Sequence, residues 1–305
     1  MRLLRFQRNS EICIGATFRN QIVDVSRVCK IAKIPTPISV LATLEDPLCR
    51  EAISNAFTTQ SEAIIRTEVK LLAPIERPGK IFALAANYEA HASEVGIKAR
   101  DKKTYVPKVF PKLPSSLVGP YENIEIPPIS DMVDYEVEIA VVIGRRAERV
   151  MEKDAMNYVA GWMAFNDVTA RRMTFPGNLI FTPEDEPWHF LYGKWCNGFS
   201  IAGPWLVSRD EIPDPNHLKM ELSVNGQVRQ SALVGDMTFT IPEAITFISS
   251  ICVLEPGDVI SMGTPAGIGE MGAGCLAHGD LVELTIESLG RQSSRVVNKK
   301  AVGNS

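Results

Sequence analysis

Short apolar runs bounded by Gly, Pro and Asn follow one another along most of the chain and predict a structure built mainly from β-strands. Residues 2–8 and 13–25 form the first two runs, with a turn at Asn9-Ser10 between them. Asn225-Gly226, between two later runs, is the pattern of a tight hairpin turn. The other strands predicted in this way are residues 63–72, 80–85, 133–142, 158–166, 203–207, 219–224, 258–261 and 280–286.

Helical spacing is confined to a few segments. Apolar residues recur at roughly helical intervals over residues 39–57, after breakers at Pro35 and Pro37, and predict one helix there. Residues 152–157 indicate a short helix, and residues 241–251 a longer one. The two periodicities together predict a β-rich α+β protein.

A proline-containing linker at residues 73–79 divides the chain into two unequal parts. A length of 305 residues is compatible with one large domain and one small one. We therefore expect a small N-terminal module over residues 1–78 and a larger body over residues 79–305.

Composition and charge exclude several classes of protein. Hydrophobic residues make up 45% of the chain and charged residues 22%, which is ordinary for a globular protein and excludes a disordered one. The net charge of -4 gives no support for a nucleic-acid partner. No apolar run has the length needed to span a bilayer, and the first residues lack the apolar core of a signal peptide. Six cysteines without CxxC spacing favour reduced thiols, so we expect a cytoplasmic protein without membrane or nucleic-acid partners.

Two glutamates in an apolar run are the strongest chemical signal. In a strand, Glu136 and Glu138 point to the same face because side chains alternate with a period of two. Carboxylates on one face repel each other unless a cation lies between them, and a hard divalent cation prefers oxygen ligands. The alternative is a solvated strand face, against which the following apolar run argues. These residues therefore favour a metal site.

A third acid follows at the end of the next strand-like run. Asp167 lies where the apolar run gives way to a turn, and Arg171 follows four residues later. Two glutamates and one aspartate would leave part of a magnesium octahedron free for water and substrate. Arg171 is suited to bidentate binding of a substrate carboxylate. Taken alone, Asp167 is more typical of the N-cap of a short helical turn than of a metal ligand.

Two further segments are weaker signals. His91 and Glu94 would share one side of a helical turn, where the carboxylate sets the tautomer of the imidazole and makes it a better general base. In most sequences, that spacing reflects an exposed His–Glu pair on a helix surface. The glycine-rich run at residues 254–269 lacks the spacing of a nucleotide-binding loop, and its Thr264 is either a hydroxyl donor to a substrate carboxylate or part of a tight loop.

Six motifs with these residues occur together and resemble those of the fumarylacetoacetate hydrolase family over about residues 79–290. Each motif is modest, but their common order is highly specific. In chain order they are NYxxHxxE from Asn87, FPKLPSS from Phe110, DYEVEIAVVIG from Asp134, NDVTAR from Asn166, VNGxxRQ from Val224 and LEPGDVIxxGTPAGIG from Leu254.

The resemblance implies a fold and a set of roles. It implies a body of rolled mixed β-sheets with a small N-terminal α/β module, usually in a homodimer. It implies Mg²⁺ or Mn²⁺, with Ca²⁺ as an alternative, at Glu136, Glu138 and Asp167. The implied catalytic residues are His91 and Glu94 as a water-activating dyad on a lid, and Lys194. The implied substrate-binding residues are Arg171, Thr264, Lys112 and Ser115.

The expected activity is hydrolysis of a C–C bond in an acylpyruvate-like 2,4-dioxo acid. His91 would activate the water, and Lys194 would stabilise the pyruvate enolate that forms. Oxaloacetate decarboxylation or tautomerisation, and hydratase or lyase chemistry on a 2-oxo-alkenoate, would use the same site and remain open. A non-catalytic binding subunit is the third alternative. Thr174 and a long segment at residues 172–193 depart from the family pattern and leave the substrate open.

Overall fold

The computed structural model describes residues 1–19, 21–61, 63–65, 68–98, 101–175, 179 and 182–298. Strands predominate, and helices are fewer and short, so the β-rich α+β class predicted from the sequence is confirmed. Among the described residues, no helix combines the length and the apolar character needed to cross a membrane.

The N-terminal part contains a β-meander followed by helices. Its elements are β1 (Arg2–Arg8), β2 (Glu11–Phe18), β3 (Gln21–Asp24), α1 (Val25–Ala32), α2 (Val40–Glu45), α3 (Pro47–Thr58), β4 (Ile64–Ile65) and β5 (Lys70–Leu72). Helix α1 was not predicted, and the single strand predicted at residues 13–25 is wrong, because that segment contains both β2 and β3. Asp24 begins α1 by accepting hydrogen bonds from the backbone N–H groups of Ser26 and Arg27. Residues 66–67 of the predicted strand at 63–72 lie outside the described residues.

The single helix predicted over residues 39–57 is wrong, because the segment forms two helices. Asp46 ends α2 and caps α3, where it accepts hydrogen bonds from the backbone N–H groups of Leu48 and Cys49. Pro47 occupies the first turn of α3, a position that needs no N–H donor. A cap followed by proline therefore interrupts an apolar spacing that is otherwise continuous.

The larger part supplies the remaining elements. The predicted helix at residues 152–157 is a 3-10 helix, Glu152–Tyr158. The strand predicted at residues 133–142 is two strands with Glu136 between them. In chain order the elements are β6 (Ile81–Ala85), α4 (Glu89–Glu94), β7 (Lys108–Lys112), β8 (Leu117–Val118), β9 (Ile124–Ile126), β10 (Met132–Asp134), β11 (Val137–Ile143), β12 (Val159–Asp167), β13 (Thr169–Arg171), α5 (Glu186–Gly193), β14 (Ser200–Ala202), β15 (Leu206–Ser208), β16 (Lys219–Val224), β17 (Gln227–Leu233), α6 (Ile241–Ile251), β18 (Val259–Ser261), β19 (Leu281–Ile286) and β20 (Gly290–Asn298).

The main sheet runs through both parts of the chain. Its order is β4-β3-β2-β1-β15-β12-β11-β18-β6-β7, and a second sheet has the order β17-β16-β19-β20-β9. Both are mixed, since β18 pairs with β6 in parallel and β20 pairs with β9 in parallel. Strand β1 joins β15 directly, with Leu3 opposite Leu206. The domain boundary at about residue 78 stays a prediction.

Strand β11 lies at the centre and is buried on both faces. Val137, Ile139 and Val141 belong to one apolar cluster, which includes much of the second sheet and α6. Ala140 and Val142 belong to another cluster, which includes the apolar residues of the N-terminal strands and helices. Because side chains alternate along the strand, Glu138 lies on the second face, the same face as Ala140 and Val142.

The predicted hairpin turn is confirmed and offers a test of local stability. Asn225 and Gly226 link β16 to β17 with φ of 52° and 77°. The Asn225 side chain also accepts a hydrogen bond from the Leu281 N–H at 2.9 Å and donates one to Asp280 at 2.8 Å. Alanine is strained at positive φ and makes neither bond.

We expect Asn225→Ala to lower the free energy of unfolding by about 2 kcal/mol, measured by urea denaturation. Asn225→Gly is the matched control, because it loses the hydrogen bonds but adopts the turn, and it should cost about half as much. An Ala variant as stable as the Gly variant would contradict the role of backbone strain. Neither variant should change activity.

Candidate metal centre and active site

Antiparallel pairing of β11 with β12 brings the three predicted acids together. Val137 lies opposite Asn166, which places Glu136 and Glu138 beside the end of β12, where Asp167 lies. The Asp167 N–H donates to the Glu136 carbonyl at 2.9 Å, and the Asn166 side chain accepts from the Glu136 N–H at 3.0 Å. All three carboxylates are buried, and one oxygen of each lies within 4.8 Å of the others. Two neighbouring strands, with Glu136 just before the first residue of β11, thus form one acidic cluster.

Three cations balance the cluster. Lys194 donates to Glu136 at 2.7 Å and to Asp167 at 2.9 Å, and it is 1% exposed. Lys112, at the end of β7, donates to the other oxygen of Asp167. Arg171 donates to Glu136 at 2.8 Å. Charges buried in this way are stable only when paired, so the cations make the fold compatible with the acids.

The pKa values follow from this arrangement. Burial alone would raise the pKa of Glu136, but Lys194 and Arg171 outweigh it and hold that pKa below its ordinary value. Burial would lower the pKa of Lys194, yet Asp167 and Glu136 raise it, so Lys194 is an ammonium. Burial prevails at Lys112 and lowers its pKa despite the attraction of Asp167.

Glu138 is the acid without a cationic partner among the described residues. Its carboxylate accepts hydrogen bonds from the Ser261 hydroxyl and from the Gly263 N–H at 2.8 Å. Burial, followed by repulsion from Asp167 and Glu136, raises the pKa of Glu138 well above its ordinary value. A divalent cation between the three carboxylates would relieve this repulsion. An all-oxygen donor set suits a hard cation, so the residues present fit a divalent metal.

Gly263 allows the backbone to reach Glu138. Its φ is +92°, and a Cβ there would lie 2.8 Å from Cβ of Asn87 and 2.9 Å from the Leu84 carbonyl oxygen. Asn87 holds the same turn by donating to the Met262 and Phe239 carbonyls at 2.8 and 3.0 Å. Sequence reasoning missed this anchoring role of Asn87, although its motif included the residue.

The predicted dyad forms on α4. His91 Nδ1 lies 3.1 Å from one oxygen of Glu94, and the other oxygen accepts from the Gly267 N–H at 3.0 Å. The glycine-rich loop therefore orients Glu94, which orients His91. His91 is buried and close enough to Glu136 to add, after Lys194 and Arg171, to the lowering of the pKa of that carboxyl. The dyad thus lies near the acidic cluster.

The structure brings some of the predicted substrate-binding residues to the acidic cluster and leaves others away from it. Thr264 is buried next to Gly263, and Lys112 lies within the cluster. Arg171 also contacts Asp134 and Glu270, at 3.2 Å each, so three carboxylates share its guanidinium. Glu270 was not identified from the sequence.

Ser115 is exposed in a 3-10 turn and takes part in none of the described hydrogen bonds of the site. Its neighbour Ser116 is the buried member of the pair and bonds to Ser200 at 2.7 Å. The structure therefore does not bring Ser115 into the acidic cluster, and its predicted substrate-binding role has no geometric support.

Two aromatic rings enclose the Lys194 ammonium. Its Nζ lies 5.3 Å from the centre of the Phe110 ring and 5.6 Å from that of Phe190. The two rings pack edge to face at 5.0 Å. A cation is attracted to an aromatic face, and the rings also limit access of water to the ion pairs. Phe190 lies on α5, in the long segment that departs from the family pattern.

The remainder of that segment is only partly described. His189 Nε2 accepts a hydrogen bond from the Met173 N–H at 2.9 Å, which ties α5 to the chain after β13. Pro176 and Phe181 lie outside the described residues. Thr174 donates its backbone N–H to Ile129, which anchors this edge.

Comparison with known proteins identifies the class of protein. A family model described as fumarylacetoacetate (FAA) hydrolase C-terminal matches residues 80–297, so the chain belongs to this family, as the motifs predicted. An oxaloacetate tautomerase of Bos taurus, named as mitochondrial, is 39% identical over 247 residues, which cover 80% of this chain and 75% of that protein.

Solved structures agree over nearly the whole chain. Fumarylacetoacetate hydrolase from psychrophilic Exiguobacterium antarcticum is 28% identical with a TM-score of 0.78, covering 98% of this chain and 100% of that one. Maleylpyruvate hydrolase from Sphingobium sp. SYK-6, in complex with manganese (II) ion and pyruvate, is 26% identical with a TM-score of 0.75 and the same coverage. The fold class and the family resemblance are both confirmed.

Proposed function

We propose that the protein is a metal-dependent enzyme acting on a small 2-oxo acid, and that oxaloacetate tautomerisation is its reaction. The observation that carries the proposal is the His91–Glu94 dyad, which lies near a buried acidic cluster that is paired with Lys194. Similarity to an oxaloacetate tautomerase over four-fifths of the chain supports the choice of reaction.

The three carboxylates of Glu136, Glu138 and Asp167 would hold Mg²⁺ or Mn²⁺, and Ca²⁺ also suits oxygen donors. The manganese in the complex of the similar maleylpyruvate hydrolase supports this set of cations. Bound there, the cation would act as a Lewis acid toward the 2-oxo group.

The protein's own residues would move the proton. A carboxylate only accepts hydrogen bonds, so the contact with Glu94 places the proton of neutral His91 on Nδ1 and leaves Nε2 as the acceptor. His91 Nε2 would take a proton from C3 of the keto acid, and the resulting imidazolium would give that proton to the enolate oxygen to form the enol; the same two transfers in reverse order would regenerate the keto acid. The Lys194 ammonium, which is buried, would stabilise the negative charge of the enolate oxygen.

Arg171 and Thr264 would bind the carboxylate groups of the substrate. Arg171 already contacts three carboxylates, so it would serve the substrate through the donors that face away from them. Thr264 contributes a neutral hydroxyl from the glycine-rich loop, and Lys112 would contribute indirectly by holding Asp167.

C–C hydrolysis of an acylpyruvate is the second candidate. The same His91 Nε2 could deprotonate a water instead of a carbon, and the similar solved structures that are named as hydrolases support this use. Both reactions pass through an enolate, as would decarboxylation, so the position of water and of the C3–H relative to His91 decides between them.

The deciding experiment measures turnover of oxaloacetate, acetylpyruvate and fumarylpyruvate with Mg²⁺, Mn²⁺ or EDTA. We expect metal-dependent interconversion of enol and keto oxaloacetate, above the buffer-catalysed rate and without CO₂. Pyruvate with a second carboxylic acid would establish the hydrolase instead, and CO₂ from oxaloacetate a decarboxylase. No reaction with any of the three, in protein that binds metal, would contradict the proposal and favour the non-catalytic alternative.

The assembly and location of the protein are part of the same proposal. We propose a homodimer, the state that the family resemblance implies, and light scattering after size-exclusion chromatography would measure it. The similar tautomerase is named as mitochondrial, so the cytoplasmic location stays a prediction.

A further inference from the structure

A buried glutamine joins the metal-binding strand to the glycine-rich loop. Gln230 lies on β17 and is 1% exposed. Its Oε1 accepts from the Val137 N–H at 3.0 Å, and Val137 lies between Glu136 and Glu138. Its Nε2 donates to the Thr264 hydroxyl oxygen and to the Pro265 carbonyl, both at 2.8 Å.

The direction of these hydrogen bonds is fixed by their backbone partners. The Val137 N–H can only donate, so the amide atom facing it is the oxygen. The Pro265 carbonyl can only accept, so the atom facing it is the nitrogen. The amide therefore has one orientation, and the contact with Thr264 is made by an N–H that donates to the hydroxyl oxygen.

This contact determines that the Thr264 hydroxyl is left with a proton to donate to a further partner. A hydroxyl has one proton, and it cannot be given to a group that is itself donating. Thr264 is 3% exposed, and its proton has no acceptor among the residues that the structure describes. A buried donor without an acceptor is costly, which indicates that its acceptor is a ligand.

We propose that Gln230 is a positioning residue that fixes Thr264 as a hydrogen-bond donor to a carboxylate of the 2-oxo acid substrate. The inference rests on the proposed function, since it concerns the binding of that substrate. Through Val137, the same amide sets the position of this donor relative to the two glutamates of the metal site. One side chain thus fixes the position of the carboxylate-binding hydroxyl relative to the metal-binding glutamates.

Gln230→Glu reverses the polarity of the contact. A carboxylate has the shape of the amide and still accepts from the Val137 N–H, but it takes the Thr264 proton instead of donating to Thr264. The ionised form has no donor, whereas the protonated form has one. The loss of substrate binding should therefore increase as the pH rises.

The experiment measures binding of oxalate, a probe carrying two carboxylates, by calorimetry in the presence of Mn²⁺. We expect Gln230→Glu and Thr264→Val each to weaken binding by about 10- to 100-fold, the range for a hydrogen bond to a charged group. The double variant should bind oxalate no more weakly than whichever single variant has the lower affinity, because both changes remove the same hydrogen-bond donor to oxalate. Thr264→Ser should bind like the wild type.

Gln227→Glu is the matched control, since it adds the same charge at an exposed position of β17. It should leave oxalate binding unchanged. If Gln230→Glu does not fold, the uncharged Gln230→Met replaces it in the same cycle. We expect Gln230→Met to weaken binding several-fold, without pH dependence and again without additivity to Thr264→Val.

If the losses of oxalate affinity were additive in the double variant, the inference would be overturned, because Gln230 would then act independently of Thr264. Unchanged oxalate binding by Thr264→Val would also overturn it, while leaving the reaction itself to be judged by turnover. Failure of the wild-type protein to bind oxalate with Mn²⁺ would instead count against the proposed function.

Discussion

Glu138→Gln is expected to abolish metal-dependent turnover while leaving the metal-free protein at least as stable as the wild type. Glu138 faces two other buried carboxylates and has no cationic partner among the described residues, so removing its charge relieves repulsion. Glutamine retains the shape and can still accept from the Gly263 N–H. Loss of a metal ligand should weaken metal binding by more than about 100-fold, since even outer contacts of such sites contribute up to that factor.

Glu136→Gln provides the matched comparison. This change should also abolish turnover, but it leaves Lys194 and Arg171 with one carboxylate partner fewer. We expect it to lower the free energy of unfolding of the metal-free protein by about 3 kcal/mol. Urea denaturation in EDTA measures the stability, and the rise of Tm with added Mn²⁺ measures metal binding. Equal stability losses in the two variants would contradict the assignment of the ion pairs.

His91→Ala is expected to reduce kcat by roughly 10²- to 10⁴-fold, the usual contribution of a general acid–base residue. Metal binding should persist, because His91 is not among the three carboxylates. Stopped-flow measurement of enol–keto conversion gives kcat, and the Mn²⁺-dependent rise of Tm is the control for an intact metal site.

Glu94→Gln tests the orientation of the imidazole. Glutamine can still accept from the Gly267 N–H but no longer favours the proton on His91 Nδ1, so a smaller loss than that of His91→Ala is expected. If hydrolysis is the reaction, His91→Ala should remove it and spare any decarboxylation. Full activity of His91→Ala in every assay would exclude the dyad from catalysis.

The acidic cluster was predictable because it depends on the local periodicity of two neighbouring strands. Glu136 and Glu138 were predicted to lie in one strand. That strand is interrupted at Glu136, but the pairing of β11 with β12 still brings Asp167 to both glutamates. Lys194 had no such signal. Lys194 directly follows α5, which itself comes after an irregular segment. Its role was suggested only by the resemblance to the family.

Features that a single residue decides were the hardest to predict. Ser115 and Ser116 are equivalent in composition, but the turn of a 3-10 helix points only Ser116 inward. Asp46 and Pro47 were visible in the sequence, yet the apolar spacing across them was given more weight than the cap. Gln230 belongs to the VNGxxRQ motif, but its positioning role had no local signal, because its partners lie on two other segments of the chain.

The pairing of Leu3 with Leu206 also affects how the protein reaches its native state. During synthesis, β1 leaves the ribosome long before β15 exists. Strand β5 can pair early with residues 5–7 of β1, but Arg2 and Leu3 have no partner on that edge for most of that time. Contacts between residues so distant in sequence form slowly, because a large loop must close first. An unpaired edge strand can meanwhile associate with other chains. Pairing of β1 with β15, and with it completion of the main sheet, is therefore expected to be a late step of folding.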